Sequence, residues 1–507
     1  MGRRSKHSTP KVRAPRVPSA RGWLGAGAGA DTTIQVPASF RGTTVQVCGL
    51  HPFAVGDGTS MLGVPLGVHE HTSATVCADP MSWFQGDAIG NPSVFVMGLP
   101  ALGKTSLVAR MCVGLAGYGV LPFVLGDTRP DYVPTIEALG GEVHRLGRNR
   151  DYINPLDPGE STVAAQRLRA AGFEREAQEV EADAHGRRLT TVLGLIAIQR
   201  KGPTTEAEEA VLDRALHIVD ARLDRVPIMS DVLDVVREGP DELRAAVIDR
   251  GSWEVYQTKT EGLELSLTLL STTGFGGLFS RESSKPLQRD KPVVYDISAI
   301  PQGESDLLAA ALLACWSNGF ATVNIAGILA DAGLEPRRLY FLVMDELHRI
   351  LRAGGGMMVD RIDYLTRLNR AEMVGQAMIT HTMKDLKALP ESERLKAMGF
   401  IERSGMVILG GLPGAEMPDL TPVLPLTQEE QAKLASWATP PSQSAKEGVK
   451  QDPPGRGKFL IKVGGRPGIP IRVRLTQREL NLTNTNRKWQ EVEAQRRAAR
   501  AQAREAS

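Results

Sequence analysis

The stretch VFVMGLPALGKTSLVARM, Val94–Met111, decides the fold of this chain. Its apolar start predicts a buried strand and its end predicts a helix, with a short glycine-containing turn between them. The pattern G-x-x-x-x-G-K-[ST] is complete in that turn, at Gly98, Gly103, Lys104 and Thr105. Such a loop surrounds phosphate groups with backbone N–H groups and the positive end of a helix. The sequence therefore predicts a nucleotide-binding α/β domain.

The loop and the first turn of its helix form the predicted ATP site. We expect the Lys104 ammonium group to reach the β- and γ-phosphates and the Thr105 hydroxyl group to hold Mg²⁺, as in other loops of this kind. ATP and Mg²⁺ are therefore the expected cofactors. The residues predicted to contact the nucleotide are Gly98, Leu99, Pro100, Ala101, Leu102, Gly103, Lys104, Thr105 and Ser106.

The second part of the predicted site is YFLVMDE, Tyr340–Glu346. Its apolar residues predict a buried strand that ends at Asp345, and open α/β sheets bind ligands at the carboxyl ends of their strands. Asp345 is the second predicted ligand of Mg²⁺, and Glu346 is the predicted base that orients and deprotonates the attacking water. Lys104 is predicted to act in catalysis as well, because it contacts the transferred phosphate.

Strand and helix patterns alternate along two parts of the chain. The apolar runs SVFVMG, VLPFVLGD and EVHRLG are separated by helical patterns, which predicts parallel strands with right-handed crossovers. The predicted core covers 91–157 and 285–430, and a helical insertion is predicted for 158–284. The other predicted segments are a disordered basic tail (1–30), a β-rich lead-in (31–90), a linker (431–457), a β-hairpin (458–480) and a charged tail (481–507).

The predicted hairpin has one apolar and one basic face. Its alternating pattern places Lys462, Arg472 and Arg474 on the side opposite the apolar residues. A basic face of this kind is usually solvated, and contact with phosphate groups is the alternative.

The composition is that of an ordinary soluble globular protein. Of 507 residues, 42% are hydrophobic and 23% are charged, and the net charge of +2 does not by itself indicate a nucleic-acid-binding protein. The four cysteines form no CxxC pair, which argues against a zinc site or a disulfide framework and fits a reducing cytoplasm. The run LLAAALLACW is too short to span a membrane, so no transmembrane segment is predicted.

Several classes of nucleotide-binding protein are disfavoured. About 240 residues separate Lys104 from Asp345, which leaves room for a helical insertion that compact nucleoside kinases lack. The N-K-x-D motif of small GTPases does not occur in the sequence. The L-S-G-G-Q motif of ABC-type ATPases does not occur between the two parts of the site either.

Four further segments carry a family resemblance: LGDTRPDYVPTIEALGGEVHRLG…INPLDPG, GFGGLFS…KPVVYDIS, YFLVMDELHRIL and ITHTMKDL. From about Asp79 to Leu475 the chain resembles the conjugative-transfer ATPases of type IV secretion systems, within the HerA/FtsK superfamily, and in particular their short actinobacterial versions. The residues that match two additional signatures of the family are Asn154, Pro155, Leu156, Gly274, Gly277 and Phe279.

The resemblance implies an α/β fold with a RecA-like P-loop NTPase core and a mostly parallel sheet, beside the helical insertion and small β-rich flanking segments. It also implies ATP and Mg²⁺ as cofactors, a homo-hexamer, and a secretion or conjugation membrane complex as partner. DNA is left open as a further partner. The expected location is cytoplasmic, with a peripheral position at the inner face of the membrane supplied by partners.

The sequence departs from the family pattern at three places. The family's sensor segment usually ends in Thr-Gln, where this chain has Thr380 and His381. His381 can donate and accept hydrogen bonds and is a candidate γ-phosphate sensor, although an ordinary histidine at a strand end is the alternative. Arg367 and Arg370 are candidates for completing a neighbouring subunit's site, but their spacing differs from the family's. The large N-terminal domain of full-length relatives is also missing from the sequence.

Three functions are consistent with these patterns. The leading hypothesis is an ATP-hydrolysing motor of a conjugation or type IV secretion apparatus, which drives substrate transfer or machine assembly. A DNA translocase or coupling protein is the second, although such proteins usually carry N-terminal transmembrane helices. A nucleotide-dependent assembly scaffold with little turnover is the third, and the acidic Glu346 argues against it.

Overall fold

A computed structural model describes residues 60–272, 274–352, 359, 373–440 and 453–483 of the chain. The predicted basic tail, the first part of the lead-in and the charged tail beyond residue 483 lie outside these residues. So do Arg367 and Arg370.

Strands from both ends of the described chain join one sheet. They are β1 (Pro65–His69), β2 (Thr75–Cys77), β3 (Ser93–Met97), β4 (Val120–Asp127), β5 (Glu142–Arg145), β6 (Val293–Asp296), β7 (Leu339–Met344), β8 (Val374–Thr380), β9 (Met406–Leu409), β10 (Lys458–Lys462) and β11 (Ile469–Val473). Their order across the sheet is β2-β1-β11-β10-β9-β3-β8-β7-β4-β6-β5. Pairing is parallel from β9 to β5 and antiparallel from β2 to β9.

Helices connect and cover the strands. Those of the first half are α1 (Pro80–Gln85), α2 (Lys104–Gly117), α3 (Val133–Ala138), α4 (Ser161–Ala170), α5 (Glu174–Arg200), α6 (Glu206–Arg222), α7 (Met229–Glu238) and α8 (Asp241–Ala246). Those that follow are α9 (Trp253–Thr272), α10 (Gly276–Phe279), α11 (Ser305–Asp331), α12 (Leu347–Arg352), α13 (Met383–Lys387), α14 (Glu391–Arg403), α15 (Met417–Leu420), α16 (Gln428–Trp437) and α17 (Gln477–Leu482).

The parallel part of the sheet is buried on both faces. In β3, Phe95 and Met97 belong to the apolar cluster that includes the helices between β5 and β7, whereas Val94 and Val96 belong to the cluster on the α2 side. Continuous apolar strands are typical of parallel sheets because helices cover both of their faces. The predicted α/β fold with a mostly parallel sheet is therefore confirmed.

The segment between β5 and β6, predicted as helical, contains α4 to α10. Thr205 begins α6 through a capping box, in which its hydroxyl oxygen accepts from the Glu208 N–H and the Glu208 carboxylate accepts from the Thr205 N–H. Arg200 of α5 donates two hydrogen bonds to the same carboxylate, at 2.9 and 2.7 Å. These contacts join the end of α5 to the start of α6.

The predicted hairpin is part of the central sheet. Phe459 of β10 lies opposite Ile471 of β11, while β10 pairs with β9 and β11 pairs with β1. The β-rich lead-in therefore reaches the parallel core through the hairpin, and both flanking segments extend the sheet.

The structure corrects two predictions about this region. Lys462 was expected on an outward basic face, but it is buried, with its ammonium group 3.2 Å from the Glu430 carboxylate. Glu430 lies in α16, which a capping box starts at Thr427 and which continues to Trp437. The predicted linker start at 431 is therefore wrong, because the buried Leu434 and Trp437 continue the helix.

The buried ion pair gives a testable prediction. Lys462→Met should lower the free energy of unfolding by about 3–5 kcal/mol, because it leaves the Glu430 carboxylate buried without a cation. The matched control is Lys458→Met on the same strand, whose partner Glu70 lies 3.1 Å away in a more exposed pair; its effect should stay within about 1 kcal/mol. Urea denaturation of the three chains measures both changes, and equal midpoints for the two variants would contradict the buried pair.

One helix of the described residues, α11, is long and apolar enough to cross a membrane by length and composition alone. In the folded chain 78% of its apolar window is buried against the rest of the protein. Its Trp316 and Leu312 belong to the main apolar cluster. These contacts are those of a core helix.

Candidate nucleotide-binding site

The predicted phosphate-binding loop lies between the end of β3 and the start of α2. Gly103 has a φ of +99° and Ala101 a φ of +63°, so the loop uses left-handed backbone conformations to curl. A Cβ atom at Gly98 would lie 3.0 Å from the Gly410 Cα, a tight contact that favours glycine at the loop's first position. The Leu99 N–H donates to the Gly411 carbonyl at 3.0 Å, so the strand ends beside β3 hold the loop in place.

Lys104 lies at the centre of the site. It is only 7% exposed, and its ammonium group donates to the Gly98 carbonyl at 2.6 Å and to the Leu99 carbonyl at 3.2 Å. Burial lowers the pKa of Lys104 to about 8, against the opposing effect of nearby carboxylates such as Asp345. The group is therefore still mainly charged at neutral pH. A buried cation held over a curled backbone loop fits the phosphates of a nucleotide.

Asp345 follows β7 at the same edge of the sheet. Its carboxylate accepts the Glu346 N–H at 2.8 Å and the Tyr132 hydroxyl group at 3.3 Å. Burial raises the pKa of Asp345 to about 6, and the negative charge of Glu346 adds to the shift. A half-buried carboxylate whose charge is disfavoured by its surroundings fits a site for a divalent cation, because the cation supplies the missing positive charge.

Glu346 has a backbone conformation that is unusual for a glutamate. Its φ is +55°, and its carboxylate lies 3.2 Å from Arg349, 3.4 Å from His348 and 3.6 Å from His381. Burial opposes its ionisation, but the neighbouring His381, His348 and Arg349 outweigh burial and lower the pKa of Glu346 to about 2. The carboxylate is thus ionised and held by the Arg349 guanidinium group and the two histidines, and it must leave Arg349 in order to take a proton from water.

His381 connects the two halves of the site. It follows β8, and its Nδ1 atom lies 3.0 Å from the Lys104 ammonium group, while its Nε2 atom lies 3.6 Å from Glu346. Its carbonyl group also accepts the Gly98 N–H at 3.1 Å. The structure therefore brings together Lys104, Asp345, Glu346 and His381, which were predicted from separate segments. The expected roles of Arg367 and Arg370 stay predictions, because these residues lie outside the described part of the chain.

Sequence reasoning missed several residues that shape the site. Tyr132 donates its hydroxyl group to Asp345, and its N–H donates to Asp127 at 2.7 Å. Burial raises the pKa of Asp127 well above its usual range and that of Asp131 to about 6. The sequence contains a signal for Asp127, because this aspartate ends the apolar run VLPFVLGD. Asp345 follows the apolar run of β7 in the same way. Tyr132 has no comparable signal, because its contact with Asp345 joins distant parts of the sequence.

Comparisons with known proteins support the fold independently. No protein-family model matches the chain, and a search of curated proteins found no significant match. Among solved structures, VirB4 of Thermoanaerobacter pseudethanolicus is similar over 84% of this chain and 99% of its own, with 16% identity and a TM-score of 0.60. The bacterial conjugative coupling protein TrwB, in an unbound form, is similar over 82% of this chain and 90% of its own, with 12% identity and a TM-score of 0.46.

Fold and site together define the class to which this structure is similar, that of the RecA-like P-loop ATPases. In particular, the chain shares its fold with VirB4 over nearly the whole of the chain in that solved structure. The predicted resemblance is confirmed at the level of the fold, which this chain shares with VirB4 at a TM-score of 0.60. A further TrwB structure, at 12% identity and a TM-score of 0.44, is a complex with ADP and Mg²⁺.

Proposed function

We propose that this protein is an ATP-hydrolysing motor of a conjugation or type IV secretion apparatus. The observation that carries the proposal is the convergence of Lys104, Asp345, Glu346 and His381 at one edge of the sheet, in a fold shared with VirB4. Phosphate binding alone would need only the loop. The adjacent acidic pair adds the groups that hydrolysis requires.

Each residue has a role in this proposal. The loop from Gly98 to Ser106 binds the phosphates of ATP, and Lys104 moves from the loop carbonyls to the β- and γ-phosphates. Thr105 and Asp345 hold Mg²⁺, which when bound neutralises charge on the phosphates. Glu346 exchanges its contact with Arg349 for the attacking water and accepts its proton, while His381 contacts the γ-phosphate from the other side.

Assembly and partners follow from the same proposal. A homo-hexamer would allow Arg367 or Arg370 to complete the site of a neighbouring subunit. A secretion or conjugation membrane complex is the proposed partner, and DNA as a translocated cargo or activator belongs to the coupling-protein alternative. The proposed location is cytoplasmic, with partners holding the chain at the inner face of the membrane.

A DNA-translocating coupling protein is the second candidate, and the shared fold is compatible with it. DNA distinguishes the two, because a translocase should hydrolyse ATP faster when it tracks along a strand. A scaffold with little turnover is disfavoured because Glu346 is ionised and lies next to the metal ligand Asp345.

Hydrolysis at different protein concentrations tests the motor proposal. Turnover per subunit should rise together with the mass in solution, because an arginine from a neighbour is worth about 10³-fold or more in rate where it completes a site.

Inactive Arg367→Ala or Arg370→Ala chains mixed with inactive Glu346→Gln chains should recover part of the activity. Constant turnover per subunit across the assembly range would contradict the shared site. Strong stimulation by DNA would favour the coupling-protein alternative.

A further inference from the structure

A second cluster of metal-binding side chains lies in the helical segment, outside the ATP site. It consists of His185 on α5 and of Asp213 and His217 on α6. Asp213 and His217 are four residues apart on their helix, so they lie on the same face, one turn apart. One ligand atom from each of the three side chains lies within 4.8 Å of the other two.

The ligand set has a definite chemical preference. Two imidazole nitrogens and one carboxylate oxygen are typical ligands of Zn²⁺, which binds nitrogen at about 2.0–2.1 Å and oxygen at about 2.0–2.2 Å. Hard cations such as Mg²⁺ prefer oxygen ligands. The cluster therefore suits Zn²⁺ or a related transition metal, with one coordination position left for water.

The helices around the cluster are firmly held. One helical turn further along, Arg188 of α5 forms two hydrogen bonds with Asp220 of α6, at 2.8 and 2.6 Å. The apolar cluster continues beyond that pair with residues such as Val192 and Leu216. His185 and Asp213 are half-buried and His217 is exposed, so an ion can reach the three side chains from solvent.

The present contacts show what an ion would have to change. The Nε2 atom of His185 lies 2.7 Å from an Asp213 oxygen, and the His185 and His217 rings stack at 3.9 Å with an angle of 14°. Stacked rings cannot both direct a nitrogen lone pair at one ion, so the His217 ring has to turn. His217 is exposed, and this rotation needs no repacking of the core.

We propose that His185, Asp213 and His217 form a Zn²⁺ site that fastens α5 to α6. The site is separate from the nucleotide site, and its test does not depend on the proposed ATPase function. Because the three ligands come together only when α5 and α6 pack against each other, Zn²⁺ binding should stabilise the folded chain according to its affinity and concentration.

Zn²⁺ titration of the chelator-treated full chain, without nucleotide, tests this inference. The other three-ligand cluster of the described residues, Glu346 with His348 and His381, offers a competing site. The titration is therefore made in a His381→Gln background, with a chromophoric chelator as competitor. We expect His217→Ala and Asp213→Asn to lose one Zn²⁺ equivalent. Losing a hydrogen-bond partner of a metal ligand lowers metal affinity by roughly 10- to 100-fold, and losing the ligand itself should lower it by at least as much.

Two controls keep the result interpretable. His71→Ala removes an exposed histidine outside both clusters and should retain the Zn²⁺ equivalent. Without Zn²⁺, the His217→Ala chain and its His381→Gln parent should show the same circular dichroism spectrum and the same unfolding midpoint, which shows that the variant is folded. The proposal is overturned if His217→Ala and Asp213→Asn bind as many Zn²⁺ equivalents as the parent. It is also overturned if the parent binds no Zn²⁺ equivalent at micromolar Zn²⁺.

Discussion

Lys104→Ala is expected to abolish ATP turnover and to weaken ATP binding by roughly 10- to 100-fold, because a hydrogen bond to a charged group contributes about 1.5–3 kcal/mol. The ammonium group is the buried positive charge at the mouth of the loop, and it contacts the Gly98 and Leu99 carbonyls. Alanine removes that charge and its two hydrogen bonds to the loop, while the backbone hydrogen bonds of Gly98 and Leu99 to His381 and Gly411 remain. The loss should therefore affect phosphate binding and leave the sheet intact.

The binding constant for ATP and the steady-state rate of phosphate release measure this effect. Lys291→Ala is the matched control, because Lys291 is a more exposed lysine whose partner is Glu142, at 3.4 Å. The control should behave as the parent chain does. Unchanged hydrolysis in Lys104→Ala would remove the assignment of the phosphate-binding loop.

Glu346→Gln is expected to bind ATP within about threefold of the parent and to hydrolyse it 10²- to 10⁴-fold more slowly, the usual contribution of a general base. Glutamine keeps the size of the side chain but cannot take a proton from water. Asp345→Asn should differ, because it removes a Mg²⁺ ligand and should impair Mg²⁺-dependent binding as well as rate. The trapped ATP state of Glu346→Gln should also favour the assembled ring.

Single-turnover hydrolysis, ATP affinity and mass in solution separate these outcomes. Glu304→Gln serves as the control, since Glu304 pairs with the exposed Arg148 at 3.1 Å. If Glu346→Gln hydrolyses ATP within a factor of about three of the parent rate, the activation free energy has changed by less than roughly 1 kcal/mol. The base would then be another residue.

Local patterns were sufficient to predict the centre of the fold. The strands β3, β4, β7 and β8 are mostly apolar, and each is followed by a glycine, an aspartate or another polar residue. The loop motif fixes its own position between strand and helix. Lys104 and Asp345 could be placed at the same edge of the sheet because parallel strands have their carboxyl ends at one edge.

Long-range contacts could not be predicted in the same way. The hairpin's alternation showed which residues share a face, but the helix that covers the other face begins about 30 residues earlier in the sequence, so the burial of Lys462 against Glu430 had no local signal. The contacts of Tyr132 with Asp345 and of Arg349 with Glu346 depend on side-chain directions at the strand ends. Periodicity does not specify those directions.

Mg²⁺-dependent release of phosphate from ATP by the purified full chain tests the central claim most directly. The parent should be measured across the concentrations at which it assembles, beside a Lys104→Ala/Glu346→Gln chain prepared in the same way. We predict that the parent releases phosphate and that a Mg²⁺ chelator stops this release. The double variant should release none. Equal release by both chains, or ATP binding by the parent without release at any concentration, would contradict the account.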